Sequence, residues 1–485
     1  MSTEWLPLVV ALPLLVAFLL QPLAHWLGVR AERPSPVLYG LSLMTIAATL
    51  WITLQLGSDV IAQPLSVTMG GFNTPVGINL YLDGLAYLLL LATQLALLLL
   101  WPAGAAVRTH VLLLVLAASS MGLALSGDLF NLYVFYELLA VATFGLIAAS
   151  PGRAAPLVSF RYLLLSGMGS VLALSGIALI YSHSGSLNLA DLSMLAASGE
   201  GSLPIAAFLL ILVGFGVKAE LFAVNSWVPE VYSVTSSRFA ALLAGVVSKL
   251  AVVMIVRILL LLFPQPEATD PLLLLGILGL VSGELAAWRA NDFRRMLAYS
   301  SIGQLGMIFI AFSLSLELGL FAGLALSFHH MVVKPGLFLL LQQPLSRWRV
   351  VLLILFALSL VGVPPLPGFW AKLALLTGLV EVGGWLNGVA AVTFLVATVV
   401  EAGYLFRIVQ RYYQEERPIA GSTSSTVAAV ESPWGWEGGV ALMLGGVLLA
   451  VTLTINPVTE QLQQIALQSG DRERLISTIT VSEVE

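Results

Sequence analysis

The chain has 485 residues, of which 59% are hydrophobic and only 10% charged, with a net charge of −5 and no cysteine. A soluble domain carries about 25% charged residues, so this composition excludes a soluble globular fold. The absence of cysteine excludes a disulfide framework, a thiol nucleophile and a cysteine-ligated cluster, no basic patch points to nucleic acid, and five histidines are too dispersed for a zinc site.

Apolar runs of about twenty residues recur along the chain, the length at which a helix crosses a bilayer. Open strands cannot cross lipid, because their backbone groups go unpaired, and the alternation of a transmembrane barrel is absent. The expectation is an all-α integral membrane protein. About fourteen transmembrane helices are expected, near 5–26, 37–57, 82–101, 110–126, 129–150, 156–182, 203–224, 238–263, 272–287, 296–316, 318–342, 350–380, 384–410 and 436–456. The first has no basic residue before it and no small-residue cleavage site, so it reads as a retained helix rather than a signal peptide. Between the second and third, "VTMGGFNTPVGINLYLDG" (67–84) alternates with Gly and Pro punctuation and predicts a small external hairpin.

At the end of the seventh run, "GVKAELFAVNSWVPE" (216–230) places Lys218 just before a break formed by Trp227, Val228 and Pro229. The twelfth run is 31 residues long and contains "GVPPLPGFW". That is too long for one straight span, and proline removes a backbone donor. It reads as a helix broken at membrane depth, which survives only where the loop is buried in protein or lines a cavity. "ERPIAGSTSSTVAAVESPWG" (416–435) predicts a polar linker, and the segment after Asn456 a polar external tail.

Arginine placement orients the chain. The loops after the odd-numbered spans hold Arg30, Arg33, Arg108, Arg153, Arg238, Arg289, Arg294, Arg295, Arg347, Arg349, Arg411 and Arg417. Those after the even-numbered spans hold acids instead, such as Asp59, Asp191, Glu200, Glu267, Asp270 and Glu317. The positive-inside rule then places the odd loops in the cytoplasm and both termini outside, in agreement with an even number of spans.

The chain has four lysines, Lys218, Lys249, Lys334 and Lys372, all inside expected spans, whereas the loop bases are arginine. A lysine in a low-dielectric site can release and regain its proton; an arginine effectively cannot. Intramembrane lysine is costly and marks an ion or proton pathway. Snorkelling suits helix ends and does not account for four residues so far in. Glu137 lies nine residues past Asp128, about 13 Å along the helix axis, where it would form a switchable pair with Lys218. His329 and His330 precede Lys334 by five and four residues. Positions 330 and 334 share a helix face, and histidine suits a relay between lysines; a hydrogen bond to backbone or hydroxyl is the structural alternative for each.

Lys372 follows the break in the twelfth run. Lys218 and Lys249 are 31 residues apart, and Lys372 and Glu401 are 29 apart. Two interrupted helices, each with a lysine, form the weak internal symmetry expected of inverted repeats. Tyr299, Ser300, Ser301 and Gln304 are auxiliary polar candidates. Residues two apart on a helix do not face each other, so Glu220 is expected to turn from Lys218 toward a neighbouring helix or subunit. Asp292 suits a helix start, and Arg161 and Arg407 are expected to snorkel to the cytoplasmic side.

The stretches "GDLFNLYVFYELL", "VKAELFAVNSWVPE", "LAGVVSKLAV", "NDFRRMLAYSSIGQLGM", "HHMVVKPGLFL" and "GVPPLPGFWAKL" stand in this order over roughly residues 80 to 410. They resemble the antiporter-like proton-translocating subunits of respiratory complex I and of Mrp-type cation/proton antiporters, most closely the Mrp D subunit and its relatives in membrane-bound hydrogenases. The resemblance implies fourteen helices, with two inverted five-helix repeats each holding a broken helix.

The implied domains are 1–109 (helices 1–3 with the hairpin), 110–263 (first repeat), 272–410 (second repeat), 411–435 (linker) and 436–485 (last helix and tail). The resemblance assigns Glu137 and Lys218 to the first half-channel and Lys249 to the bridge between halves. His330 and Lys334 would continue the relay to the terminal Lys372; beside these, the residues themselves make His329 a proton-transfer candidate and Glu220, Tyr299, Ser300, Gln304 and Glu401 auxiliary candidates. It implies other membrane subunits as partners, protons and a cation such as Na+ as cargo, a plasma-membrane location, and no flavin, iron–sulfur, quinone or other cofactor in the chain itself. Glu220, Ala223 and Asn225 stand where many relatives have two prolines and a histidine. Gln304 stands where complex I relatives often have histidine, and Lys372 where the equivalent complex I subunit has glutamate, which favours the Mrp-like branch over a chain M-like subunit. A stand-alone transporter of a small solute and a structural anchor of a hydrogenase or dehydrogenase complex are the alternative functions.

Overall fold

In lipid each backbone amide must find its partner within its own segment, and the apolar runs fold as helices. The computed structural model describes residues 3–60, 63–70, 72, 77–198, 203–314, 317–340, 346–415 and 435–481. Helices α1 (Leu8–Trp26) and α2 (Pro36–Val60) lead to an antiparallel pair of strands, β1 (Leu65–Met69) and β2 (Ile78–Leu82). Then come α3 (Gly84–Leu100), α4 (Val107–Leu125), α5 (Leu129–Ala148), α6 (Ala155–Ser184) and the short α7 (Leu189–Ser198). The middle of the chain forms α8 (Ile205–Gly216), α9 (Trp227–Val234), α10 (Ser237–Leu242), α11 (Ser248–Leu262), α12 (Pro266–Arg289) and α13 (Phe293–Ser313). The remainder forms α14 (Glu317–Leu340), α15 (Arg347–Val361), α16 (Pro367–Val382), α17 (Trp385–Glu415), α18 (Trp436–Leu453), α19 (Ile455–Ser469) and α20 (Arg472–Val481).

Eleven described segments are long and apolar enough to cross a membrane, with α10 and α11 joined as one. The three remaining expected spans correspond to α3, which is 17 residues long, and to two broken helices, α8–α9 and α15–α16. The expected linker 416–434 and the hairpin tip, residues 71 and 73–76, lie outside the described residues.

The first break differs from expectation. The seventh run stops as a helix at Gly216, not 224, and Lys218 sits inside the break. Glu220 and Ala223 have φ of 56° and 76°, left-handed values through which a right-handed helix of L-residues does not continue. Trp227, Val228 and Pro229 are not the break but the first turn of α9, where a proline's missing N–H costs nothing. Trp227 Nε1 donates to the Val217 carbonyl at 2.9 Å, satisfying an acceptor that the break releases. The second break falls where expected: Gly362 (φ 90°) ends α15, and Pro367 opens α16.

Between α10 and α11 the span passes through a π turn, Leu243–Val247. Close packing places α12 against α13. Gly276, Gly279 and Gly283 meet Gly303 and Gly306, and a Cβ on Gly283 would stand 2.8 Å from Gly303 Cα and Tyr299 O. Small residues of this kind allow membrane helices to approach backbone to backbone.

The segments that follow even-numbered spans gather on one face. Gly127 N donates to Asn79 O at 2.9 Å, Asn188 Nδ2 to Asn79 Oδ1 at 3.1 Å, and Asp128 bridges Asn188. Rather than trailing away, the polar tail folds as α19 and α20. Ile465, Ala466, Leu475 and Ile479 are buried, and Arg472 donates to the Leu260 carbonyl at 3.3 Å.

Candidate functional site

The first cluster lies where α5, α6 and the first break meet. Lys218 is 1% exposed; its Nζ donates to Ser166 Oγ at 3.2 Å and stands 3.4 Å from the centroid of the Tyr136 ring, a cation–π contact. The Tyr136 hydroxyl donates to Gly214 O at 2.9 Å, tying α5 to α8. Ser170 Oγ donates to the Glu137 carboxylate. Ser166 and Ser170 are four apart on α6 and share one face, which bears Lys218 at one position and half-buried Glu137 at the other. Among the described residues no carboxylate is within ion-pairing distance of Lys218. In place of a direct pair, Lys218 and Glu137 each bond a serine of α6, two residues legible only as "SGMGS" within an apolar run.

The second cluster spans the middle of the chain. Glu220 turns toward neighbouring helices, as expected, and is buried within the chain rather than offered to another subunit. It is 1% exposed, and its Oε1 accepts from the Tyr232 hydroxyl at 2.5 Å, within its own broken helix. Lys249 and Lys334 are its charged neighbours. Lys249 is fully buried and donates to Ala244 O at 2.5 Å and Ser248 Oγ at 3.1 Å. The π turn supplies that carbonyl: Ser248 N bonds back to Leu243 O, displacing Ala244 O from the regular ladder, a local rearrangement common at functional sites. His330 lies near Lys249, Lys334 and the Ala244 backbone, and among the described residues neither of its ring nitrogens makes a well-formed hydrogen bond. Lys334 Nζ donates to Leu297 O at 3.2 Å.

The third cluster surrounds the second break. Lys372 Nζ donates to Glu401 Oε2 at 2.7 Å and to Val361 O, the last carbonyl of α15, at 3.3 Å. Glu401 Oε1 accepts from Gln304 Nε2 at 2.6 Å, and Tyr404 donates to Ser300 at 2.8 Å. His329 Nε2 meets Ser359 Oγ at 2.8 Å on α15, which is the plain hydrogen-bonded alternative, with Lys372 nearby. Tyr299 is only partly buried, and Ser301 is buried with its hydroxyl unpartnered among the described residues. Glu284 of α12, absent from the expected residues, is 2% exposed and borders this cluster; its signal was a lone acid within the run 272–287.

Other charges serve the frame. Arg257 donates to both oxygens of Asp83 at 2.8 and 2.7 Å, and Asp83 also caps α3 by accepting from Ala86 N at 2.8 Å. Asp292 caps α13 through Arg295 N at 2.8 Å. Arg161 pairs with Glu230 at 3.0 Å on an exposed surface, and Arg407 donates to Trp288 O at 2.7 Å.

These clusters define a helical membrane protein whose interior carries a line of ionisable side chains, with a lysine at each of two helix breaks. Residues 126–400, more than half of the chain, match the family described as NADH:quinone oxidoreductase/Mrp antiporter, transmembrane, and the chain belongs to that family. It is 31% identical to the N subunit of the NADH-quinone oxidoreductase of Desulforudis audaxviator over 74% of this chain and 77% of that one. It is 27% identical to the D subunit of the Na(+)/H(+) antiporter of Alkalihalophilus pseudofirmus over 88% and 90% of the two chains. Among solved structures, the membrane-bound sulfane sulfur reductase, an archaeal respiratory membrane complex, has a chain of the same fold. Its TM-score is 0.87 at 26% identity, covering 99% of this chain and 100% of that one. A chain of the Mrp complex from Dietzia sp. shares the fold with a TM-score of 0.85 at 23% identity, over 99% and 100% of the chains.

Proposed function

We propose that this chain is a proton-translocating membrane subunit of a multisubunit ion-pumping complex, working beside other membrane subunits as its relatives do in the Mrp and NADH-quinone oxidoreductase assemblies. The observation that carries the reading is the buried series itself. Lys218, Glu220, Lys249, His330, Lys334, Glu401 and Lys372 are each 6% exposed or less. Successive members from Glu220 onward are electrostatic neighbours. A structural anchor has no use for such costly groups at midmembrane.

In this reading Glu137 and Lys218 exchange a proton through Ser170 and Ser166. Lys249, His330 and Lys334 pass charge across the middle, and the Lys372–Glu401 pair ends the line. Residues 110–263 and 272–410 act as two inverted repeats, a reading supported by one broken helix in each. The chain resides in the plasma membrane with both termini outside, a placement supported by the arginine-bearing loops and by the acidic segments gathered on the opposite face. Cation/proton exchange of the Mrp type is favoured by Lys372, whose ammonium already has an internal counter-ion.

The test is Lys218→Ala in the whole complex, reconstituted in vesicles. Assembly is expected to persist while proton-coupled activity falls by about 100-fold or more, the scale of a positioned proton-transfer group. Unchanged pumping would overturn the assignment.

A further inference from the structure

Glu284 is a buried acid that the relay above does not use. It projects from α12 where that helix packs closely on α13, and a Cβ on Gly303 would strike its carboxylate. The next residue, Gln304, holds Glu401, and Ser300, one turn earlier, holds Tyr404. Glu284 is 2% exposed, and among the described residues neither carboxylate oxygen makes a well-formed hydrogen bond, although the Tyr404 hydroxyl stands close to it. The ionisable groups facing it are Glu401 and Tyr404 of α17, Lys372 of α16 and Lys334 of α14. Glu401 is already committed to Lys372 and Gln304, and Tyr404 gives its proton to Ser300.

We propose that Glu284 is a proton-holding station beside Lys334 and the Lys372–Glu401 pair. A buried carboxylate without a well-formed hydrogen bond is costly as an ion, so the group in this position is suited to accept a proton rather than to anchor a cation. In the forward step the Lys334 ammonium gives up a proton and becomes an amine, and the Glu284 carboxylate becomes a carboxylic acid. In the next step the acid returns to carboxylate as the proton passes toward Lys372, once that lysine is an amine. The ion pair of Lys372 with Glu401 sets when the second step can occur, because the second carboxylate opposes a negative charge on Glu284. This role rests on the proton-relay reading and adds to it a residue on α12, a helix that contributes no other member.

The experiment compares Glu284→Gln and Glu284→Asp in the full complex, reconstituted in vesicles, with Lys218→Ala alongside. Proton-coupled activity of Glu284→Gln is expected to fall about 100-fold with normal assembly, and Glu284→Asp to retain part of it. Infrared difference spectra between acid and alkaline pH are expected to lose one protonated-carboxyl carbonyl band in Glu284→Gln, a change that a packing role would not produce. If Glu284→Gln pumps within about twofold of the parent, or the band persists, the inference fails. If both variants fail to assemble, Glu284 is a structural residue and the inference fails too. If Lys218→Ala is also fully active, it is the relay reading itself that has failed.

Discussion

Asp83 offers a stringent test of how the fold is locked. It is 3% exposed, as is Arg257, and the two are joined by contacts of 2.8 and 2.7 Å while Asp83 also caps α3. Asp83→Ala removes two terms. Breaking a buried pair costs about 3–5 kcal/mol, because a charge is left without compensation. Losing the cap costs about 1 kcal/mol. The expected loss is therefore about 4–6 kcal/mol, against a total of about 5–15 kcal/mol for an ordinary domain. Asp83→Asn keeps the cap and leaves an amide oxygen for the guanidinium, so its loss is expected near 2 kcal/mol. The double variant Asp83→Ala/Arg257→Leu buries no charge and is expected to lose only about the cap term.

The assay is the apparent melting temperature of the purified complex, followed by tryptophan fluorescence. The expected order, from least stable upward, is Asp83→Ala, Asp83→Asn, the double variant, and the parent. A double variant no more stable than Asp83→Ala would refute the argument, since it would show that the lone arginine was never the source of the cost.

Two further outcomes follow from the local geometry. Burial holds the Asp128 carboxyl above the ordinary carboxylate range, and hydrogen bonds from the Asn131 and Phe130 amides offset only part of this. A carboxyl that binds its proton more tightly when folded stabilises the fold at acid pH, and that contribution is lost as pH rises through the folded value. Asp128→Asn keeps both amide bonds and cannot ionise. Its stability is expected to stay flat from about pH 4 upward where the parent declines, and parallel melting curves for the two would contradict this. Ser166→Ala removes the hydroxyl that Lys218 donates to. A loss of about 1–2 kcal/mol corresponds to a proton-transport rate about 5–30-fold lower; Ser170→Ala, acting on Glu137, is expected to behave alike, and parental rates in both would remove the serines from the pathway.

The spans were legible because length and apolar content alone decide what crosses lipid, and the lysines because four charges in such a chain cannot be incidental. The second break announced itself through its prolines. The first was expected a few residues too late, at Trp227–Pro229, because Glu220 and Ala223 adopt left-handed backbone without glycine to signal it. The π turn lies in "LAGVV", a run with no polar mark, since the extra residue per turn is a matter of hydrogen-bond register. Glu284 was passed over because it is a single acid in a run read for its hydropathy. The tail read as merely polar, although Leu462, Ile465, Ala466 and Ser469 stand at i, i+3, i+4 and i+7, the stripe of a helix that packs on one side.

The acceptors chosen by the lysines carry a genetic consequence. Lys249, Lys334 and Lys372 each donate to a main-chain oxygen, of Ala244, Leu297 and Val361. Unlike a carboxylate, an amide oxygen does not take up the ammonium's proton at accessible pH, so it holds the lysine without competing for what the lysine carries. It is also encoded by no particular codon. Replacing Ala244, Leu297 or Val361 with other apolar residues leaves the acceptor in place, so alanine scanning would register the three lysines and pass silently over half of what holds them.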